Sequence, residues 1–161
     1  ETKLSAAERV YENMSSLGAA YTRMYHALTL LATAKKSDWK RIRQVRRHLK
    51  VMRVWSLSCP ENFLGKQLLV EAELAAVLKK RKEAYSKYYL AIIQSRESGI
   101  LMQEARANER AGKFCASIGD KEKAAKYLKE ALRLYKAWGG TAKYKHLEAE
   151  IQWTIMCFTC N

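Results

Sequence analysis

The chain has 161 residues, 48% of them hydrophobic, with one proline and seven glycines, which is enough for one domain with a sizeable core and too apolar for a disordered tail. Its net charge of +14 is uneven: nine basic residues and one acid, Asp38, lie between Lys35 and Arg53, so +8 sits in one segment. Strand alternation is nearly absent and no apolar run is long enough to span a bilayer, which leaves an all-α class without a membrane span.

Helical spacing predicts about eight helices. The first two cover about 5–17 and 19–35, or form one longer helix, since Gly18 separates them weakly. The third covers about 38–57, with Ser37 as its expected cap and Asp38 near the positive helix end. Trp39, Ile42, Val45, Leu49 and Met52 form its apolar stripe. Lys36, Lys40, Arg43, Arg47 and Lys50 repeat with the same period on another side, so one face packs and another is strongly positive.

"SCPENF" opens the fourth helix, which extends to about residue 78. Pro60 lacks an N–H and suits a first turn. Ser58 with Glu61 has capping-box spacing, and Cys59 as cap with Pro60 as first residue is an equal alternative. "KKRK" at 79–82 is the expected turn, although it holds no glycine. The fifth helix covers about 82–98 and stops at Gly99. The sixth covers about 101–118. Gly119 and Asp120 make the next turn, with Asp120 capping a seventh helix that ends at Trp138 before Gly139 and Gly140. The eighth runs from about 141 to at least 152.

The sixth and seventh helices follow tetratricopeptide spacing. Gly112 falls where the first helix of a hairpin lets its partner approach. Ala124 and Ala131 fall where the second helix crosses its neighbours, with Leu128 as the large residue between them and Leu134 near the end. Ala84, Tyr88 and Ala91 repeat this pattern forty residues earlier. Because the usual tetratricopeptide period is 34, the joint around "ESGILMQ" is expected to carry the extra residues. The expected fold is a right-handed α-α superhelix of tetratricopeptide-like hairpins. Residues 1–57 form a divergent repeat or cap, 58–151 the repeats, and 152–161 a tail. Packing should depend on Pro60, Ala84, Ala91, Gly112, Ala124, Ala131, Trp138 and Gly139.

"CPENFLGKQLLVEAELA" (59–75), "QEARANERAGKF" (103–114) and "AAKYLKEALRLYKAWGGTAKYKHLEAEI" (124–151) resemble the α-helical region that follows the ATPase module of large signalling proteins. Those proteins join a kinase-like domain, a STAND-type AAA ATPase, this helical segment and often a GAF domain with a hybrid histidine kinase. Similar regions occur in class III nucleotidyl cyclases. Gly140 stands where that family usually has a small residue such as alanine, and Cys115 where it has an aromatic. The resemblance implies a cytoplasmic scaffold and regulator that relays the ATPase state to an output domain. It implies no activity, because none of the family's phosphoacceptor, nucleotide-binding or kinase motifs lies in this stretch. The start at Glu1 rather than Met fits a piece of a longer protein.

No P-loop, dinucleotide-binding or H-E-x-x-H pattern is present. His26, His48 and His146 stand far apart and are read as structural or exposed. Glu71 with Glu73, and Glu148 with Glu150, are two residues apart and point to different sides of a helix, which disfavours a shared-proton pair. One glutamate of the fourth helix is expected to be buried against a lysine. Cys115 reads as a buried thiol. Cys157 and Cys160 form a C-x-x-C pair with no second pair to complete a zinc site, so reduced thiols are the simpler account. No catalytic residue, metal or cofactor is expected.

Two binding readings remain. One is a protein partner, an acidic peptide or another domain, held by the positive strip Arg106, Arg110 and Lys113 on the sixth helix. The other is nucleic acid held by the basic helix at 35–53. The first is preferred, because aromatics among the basic residues are few and Glu104, Glu109, Glu122 and Glu130 oppose a phosphate backbone. A plain solvated face accounts for either patch without a partner.

Overall fold

A computed structural model describes residues 16–159, with side chains from 18 to 152. The described chain is all-helical. It comprises α1 (Ser16–Ala32), α2 (Trp39–Ser58), α3 (Pro60–Val77), α4 (Arg81–Glu97), α5 (Leu101–Ser117), α6 (Lys121–Ala137) and α7 (Thr141–Thr159). Gly18 lies inside α1 and ends nothing. The helix expected at 5–17 lies almost wholly outside the described residues.

Four turns share one construction. Lys79, Gly99, Gly119 and Gly139 have φ values of 63°, 67°, 84° and 82°, and they stand twenty residues apart. In each turn the left-handed residue donates its N–H three residues back: to Ala76, Arg96, Ala116 and Lys136. The following residue donates five back: to Ala75, Ser95, Cys115 and Tyr135. This double closure is a Schellman motif, which satisfies the carbonyls at the end of a helix. The residue that completes each motif also starts the next helix. Its carbonyl accepts from the N–H four residues on, at Lys80–Ala84, Ile100–Glu104, Asp120–Ala124 and Gly140–Tyr144.

The forty-residue offset therefore has a different origin from the one expected. The joint at "ESGILMQ" is Ser98, Gly99 and Ile100, as short as its neighbours, and carries no insertion. The extra length lies in the helices: α4, α5 and α6 each hold 17 residues. At 1.5 Å per residue each is roughly 25 Å long.

The described chain divides into two compact units, with the boundary between Ala91 and Ile92. In the first unit α1, α2 and α3 pack against one another. Met24 and Ala27 of α1, Val45 and Met52 of α2, and Leu69 and Val70 of α3 are fully buried. Nearly every residue of α3 from Phe63 to Ala75 is buried, as for a helix enclosed on several sides. The polar atoms caught there are bonded. Lys66, 1% exposed, donates to the Asn62 carbonyl at 2.6 Å, with its Nζ 4.4 Å from the centre of the Tyr21 ring. Within this unit Ala84, Tyr88 and Ala91 of α4 are buried, and Tyr88 Oη donates to Glu73 Oε1 at 2.7 Å.

In the second unit α5 packs closely on α6, and α6 on α7. Ala105, Ala131, Leu134, Tyr135 and Leu147 form the core, with Leu128, Leu132, Tyr144 and Ile151 against it. At Gly112 α5 and α6 approach closely. A Cβ there would sit 2.6 Å from Leu128 Cγ and 3.2 Å from the Ala124 carbonyl oxygen. Ala124 and Ala131 are buried as the repeat pattern requires.

Several local expectations are corrected. Trp39 does not join the core stripe of Ile42, Val45, Leu49 and Met52. It is the first residue of α2, beyond the cover of α1 and α3, and is 62% exposed. Ser37 does not cap α2. Asp38 occupies that position and turns back, its Oδ2 accepting from the Lys35 N–H at 2.9 Å. Before α3, Cys59 is the N-cap residue and Pro60 the first helical residue, so the capping box of Ser58 and Glu61 is not used. Trp138 does not pack in the core either. It ends α6 half exposed, its ring lying over the turn, where a Cβ on Gly140 would come within 2.6 Å of it. Asp120 caps α6 as expected, its side chain accepting from the Lys123 N–H.

Candidate docking surfaces

The basic side of α2 follows from its sequence. Seven Lys and Arg residues and no acid lie between Trp39 and Ser58. Ile42, Val45, Leu49 and Met52 take the inward positions, so helical period turns Lys40, Arg43, Arg47 and Lys50 outward, and all four are exposed. Lys36, in the turn before α2, is exposed too. No carboxylate among the described residues pairs with Lys36, Lys40, Arg43, Arg47 or Lys50. Lys40 Nζ lies 5.8 Å from the centre of the exposed Trp39 ring, a cation–π contact at the start of the same face.

The strip on α5 differs from its expected form. Arg106, Arg110 and Lys113 are half-buried rather than open. Lys113 Nζ is held by Glu109 at 2.9 Å and by Glu150 of α7 at 2.8 Å. Burial lowers its pKa, but bonds to Glu150 and Glu109 outweigh this and raise it above the usual lysine value. Arg106 donates to Gln103 Oε1 at 3.4 Å. Spacing along one helix gave three cations in a row. One acid on the third, Glu109, lies four residues back on α5 itself; the other, Glu150, comes from α7, which spacing along α5 does not report.

Two buried carboxylates organise the cations around them. Glu109, 4% exposed, accepts from Tyr135 Oη at 2.7 Å, and Lys113 and Lys143 bind it at 2.9 and 3.0 Å. Burial pushes its pKa up, yet the Tyr135 hydroxyl and the two ammonium groups prevail and hold it at about 2. In the first unit Glu71 accepts from Arg53 Nη2 at 2.7 Å, Lys87 Nζ at 2.5 Å and Gln67 Nε2 at 3.1 Å. Burial again raises its pKa, and Lys87, Arg53 and Gln67 together bring it below the usual carboxylate range. The expected buried glutamate of this helix is thus Glu71, with Lys87 as its lysine. Glu104 and Glu109, expected to oppose a phosphate backbone, are buried and paired. Glu104 binds Arg96 Nε at 2.7 Å.

The fold brings together two histidines that the sequence keeps apart. The His26 and His48 rings are 4.9 Å apart, and Arg23 Nη1 lies 3.3 Å from the Nδ1 of the buried His48. His146 is exposed, with Nδ1 4.0 Å from Glu150 Oε2. Cys115 is buried. The Cys157 side chain and Cys160 lie outside the described residues. Among the described residues no three of His, Cys, Asp or Glu gather as metal ligands, and no helix is long and apolar enough to cross a membrane. No protein-family model, curated protein or solved structure matches the chain.

Proposed function

We propose that this chain is a non-catalytic helical-repeat scaffold that docks an acidic protein segment on the outer face of α2. The observation that carries this is the contrast in pairing. Lys113 of α5 is bound to the chain's own Glu109 and Glu150, whereas Lys36, Lys40, Arg43, Arg47 and Lys50 are exposed with no carboxylate partner among the described residues. A charged face left uncompensated attracts a partner of opposite sign and steers its approach. The likeness of 59–75, 103–114 and 124–151 to the helical region of multidomain signalling ATPases, kinases and cyclases supports an interdomain partner. In that setting the scaffold is cytoplasmic and relays the state of an ATPase to an output domain by contacting both.

One observation favours a nucleic-acid partner instead: the exposed Trp39 ring beside Lys40 offers a stacking surface next to phosphate-binding charge. Fluorescence anisotropy with an acidic peptide and with random-sequence RNA separates the two readings. The proposal expects saturable peptide binding that is lost in a Lys40→Glu, Arg43→Glu, Arg47→Glu variant of unchanged helicity. RNA binding that is tighter than peptide binding, and that falls steeply with salt, would replace the protein partner by nucleic acid.

A further inference from the structure

The other side of α2 takes part in a second feature. A cavity of about 320 Å³ opens in the first unit between α2, α3 and the start of α4. Its rim carries Arg46 and Arg53 from α2, Lys80 from the turn after α3, and Lys87 from α4, and Leu49 and Leu74 lie in its wall. Two acids also line it, Glu71 and Glu83, so the formal balance of the lining is +2. Both acids are already engaged. Glu83 pairs with Lys80 at 2.9 Å, and Glu71 is gripped by Arg53 and Lys87.

The grip on Glu71 draws Arg53 and Lys87 together. Arg53 commits Nε and Nη2 to Glu71 Oε1, which leaves its Nη1 edge. Lys87 commits one N–H direction to Glu71 Oε2, and an ammonium group has three. Arg46 has no carboxylate partner among the described residues. Two guanidinium groups of α2, from Arg46 and Arg53, and the Lys87 ammonium of α4 thus line one small, largely polar space with a leucine patch in its wall.

We propose that this cavity binds the phosphate group of a small phosphomonoester or of free orthophosphate. A phosphate brings a charge of −1.5 to −2 at neutral pH, close to the balance of the lining, and accepts hydrogen bonds in several directions at once. A carboxylate carries one charge in one plane and is satisfied by a single arginine fork. The volume lies at the small end of ligand cavities, so the organic part is small and rests against Leu49 and Leu74. This site uses none of the outward residues Lys40, Arg43, Arg47 and Lys50, and it stands or falls independently of the docking face.

The test is calorimetric titration of the whole chain with orthophosphate, phenyl phosphate and benzoate at moderate salt. Saturable binding of one or both phosphates is expected, with benzoate at least roughly tenfold weaker, since a carboxylate forgoes charge-assisted bonds. Phenyl phosphate binding more tightly than orthophosphate identifies an organic phosphate as the ligand; equal binding identifies free phosphate. Arg46→Ala with Lys80→Ala should weaken phosphate roughly tenfold or more with an unchanged melting curve, as both residues lie at the rim. Lys40→Ala with Arg47→Ala should leave it unchanged. No saturable phosphate binding, benzoate binding as tight as phenyl phosphate, or equal losses in the two double variants would each overturn the assignment.

Discussion

Glu109 shows how one side chain couples the charge of this protein to its stability. Its pKa in the folded chain, about 2, lies below the unfolded reference of 4.5. The clamp's contribution is therefore complete above about pH 4.5 and is lost as the pH falls toward 2. At 1.36 kcal/mol per pKa unit it amounts to on the order of 3 kcal/mol. Urea unfolding at several pH values should show this fall. Glu109→Gln should flatten it and lower stability near neutral pH by about 3 kcal/mol, because Lys113 and Lys143 lose a buried counter-charge. Parallel pH profiles for the two proteins would show that Glu109 is not the titrating group. Packing sets a second limit at this scale. Ala131 is fully buried, so Ala131→Leu should cost about 1–3 kcal/mol by overpacking. Gly112→Ala gains helix propensity of about 1 kcal/mol but drives a methyl into Leu128 and against the Ala124 carbonyl. The backbone contact cannot relax easily, so a net loss in melting temperature is expected.

At the scale of the element, the repeated turn decides what could be read in advance. Gly99, Gly119 and Gly139 mark three helix ends plainly, because glycine tolerates the left-handed conformation a Schellman stop requires. The fourth stop escaped that signal. Lys79 holds the same position with φ 63°, a conformation that costs an L-residue roughly 1–2 kcal/mol. Lys79→Gly should therefore raise thermal stability, by about 1 kcal/mol once the added freedom of the unfolded glycine is subtracted. Gly119→Ala should lower it by a similar amount. The length of the repeat was legible in the matched alanines, and its cause was not. A forty-residue offset fits a long joint or long helices equally well until the hydrogen bonds of Ile100 and Gly99 fix the joint at three residues. Trp39 was misplaced for a related reason. It keeps the apolar period of α2, but period says nothing about where the covering helices end.

At the scale of the whole molecule, the all-helical class and the buried faces followed from apolar period and composition, since both are local properties of the chain. Most pairing of charges between helices did not. Lys113 with Glu150, and Arg53 with Glu71, join different helices. A run of cations thus looks the same in sequence whether a member is neutralised, as Lys113 is on α5, or open, as on α2. The +14 total is the sum of both kinds. Retention on an anionic column offers a direct check. Replacing Lys40, Arg43 and Arg47 by glutamine should lower the eluting salt concentration more than replacing Arg106, Arg110 and Lys113, although each set removes three charges.

The three-residue joints carry a last implication. Between α3 and α7 the backbone has little slack: each rod ends and the next begins within three residues. Among the described residues, none of these joints is long enough to wrap around a visitor or fold over it. Whatever settles on these helices must supply the pliable strand itself and bend to fit a face already set.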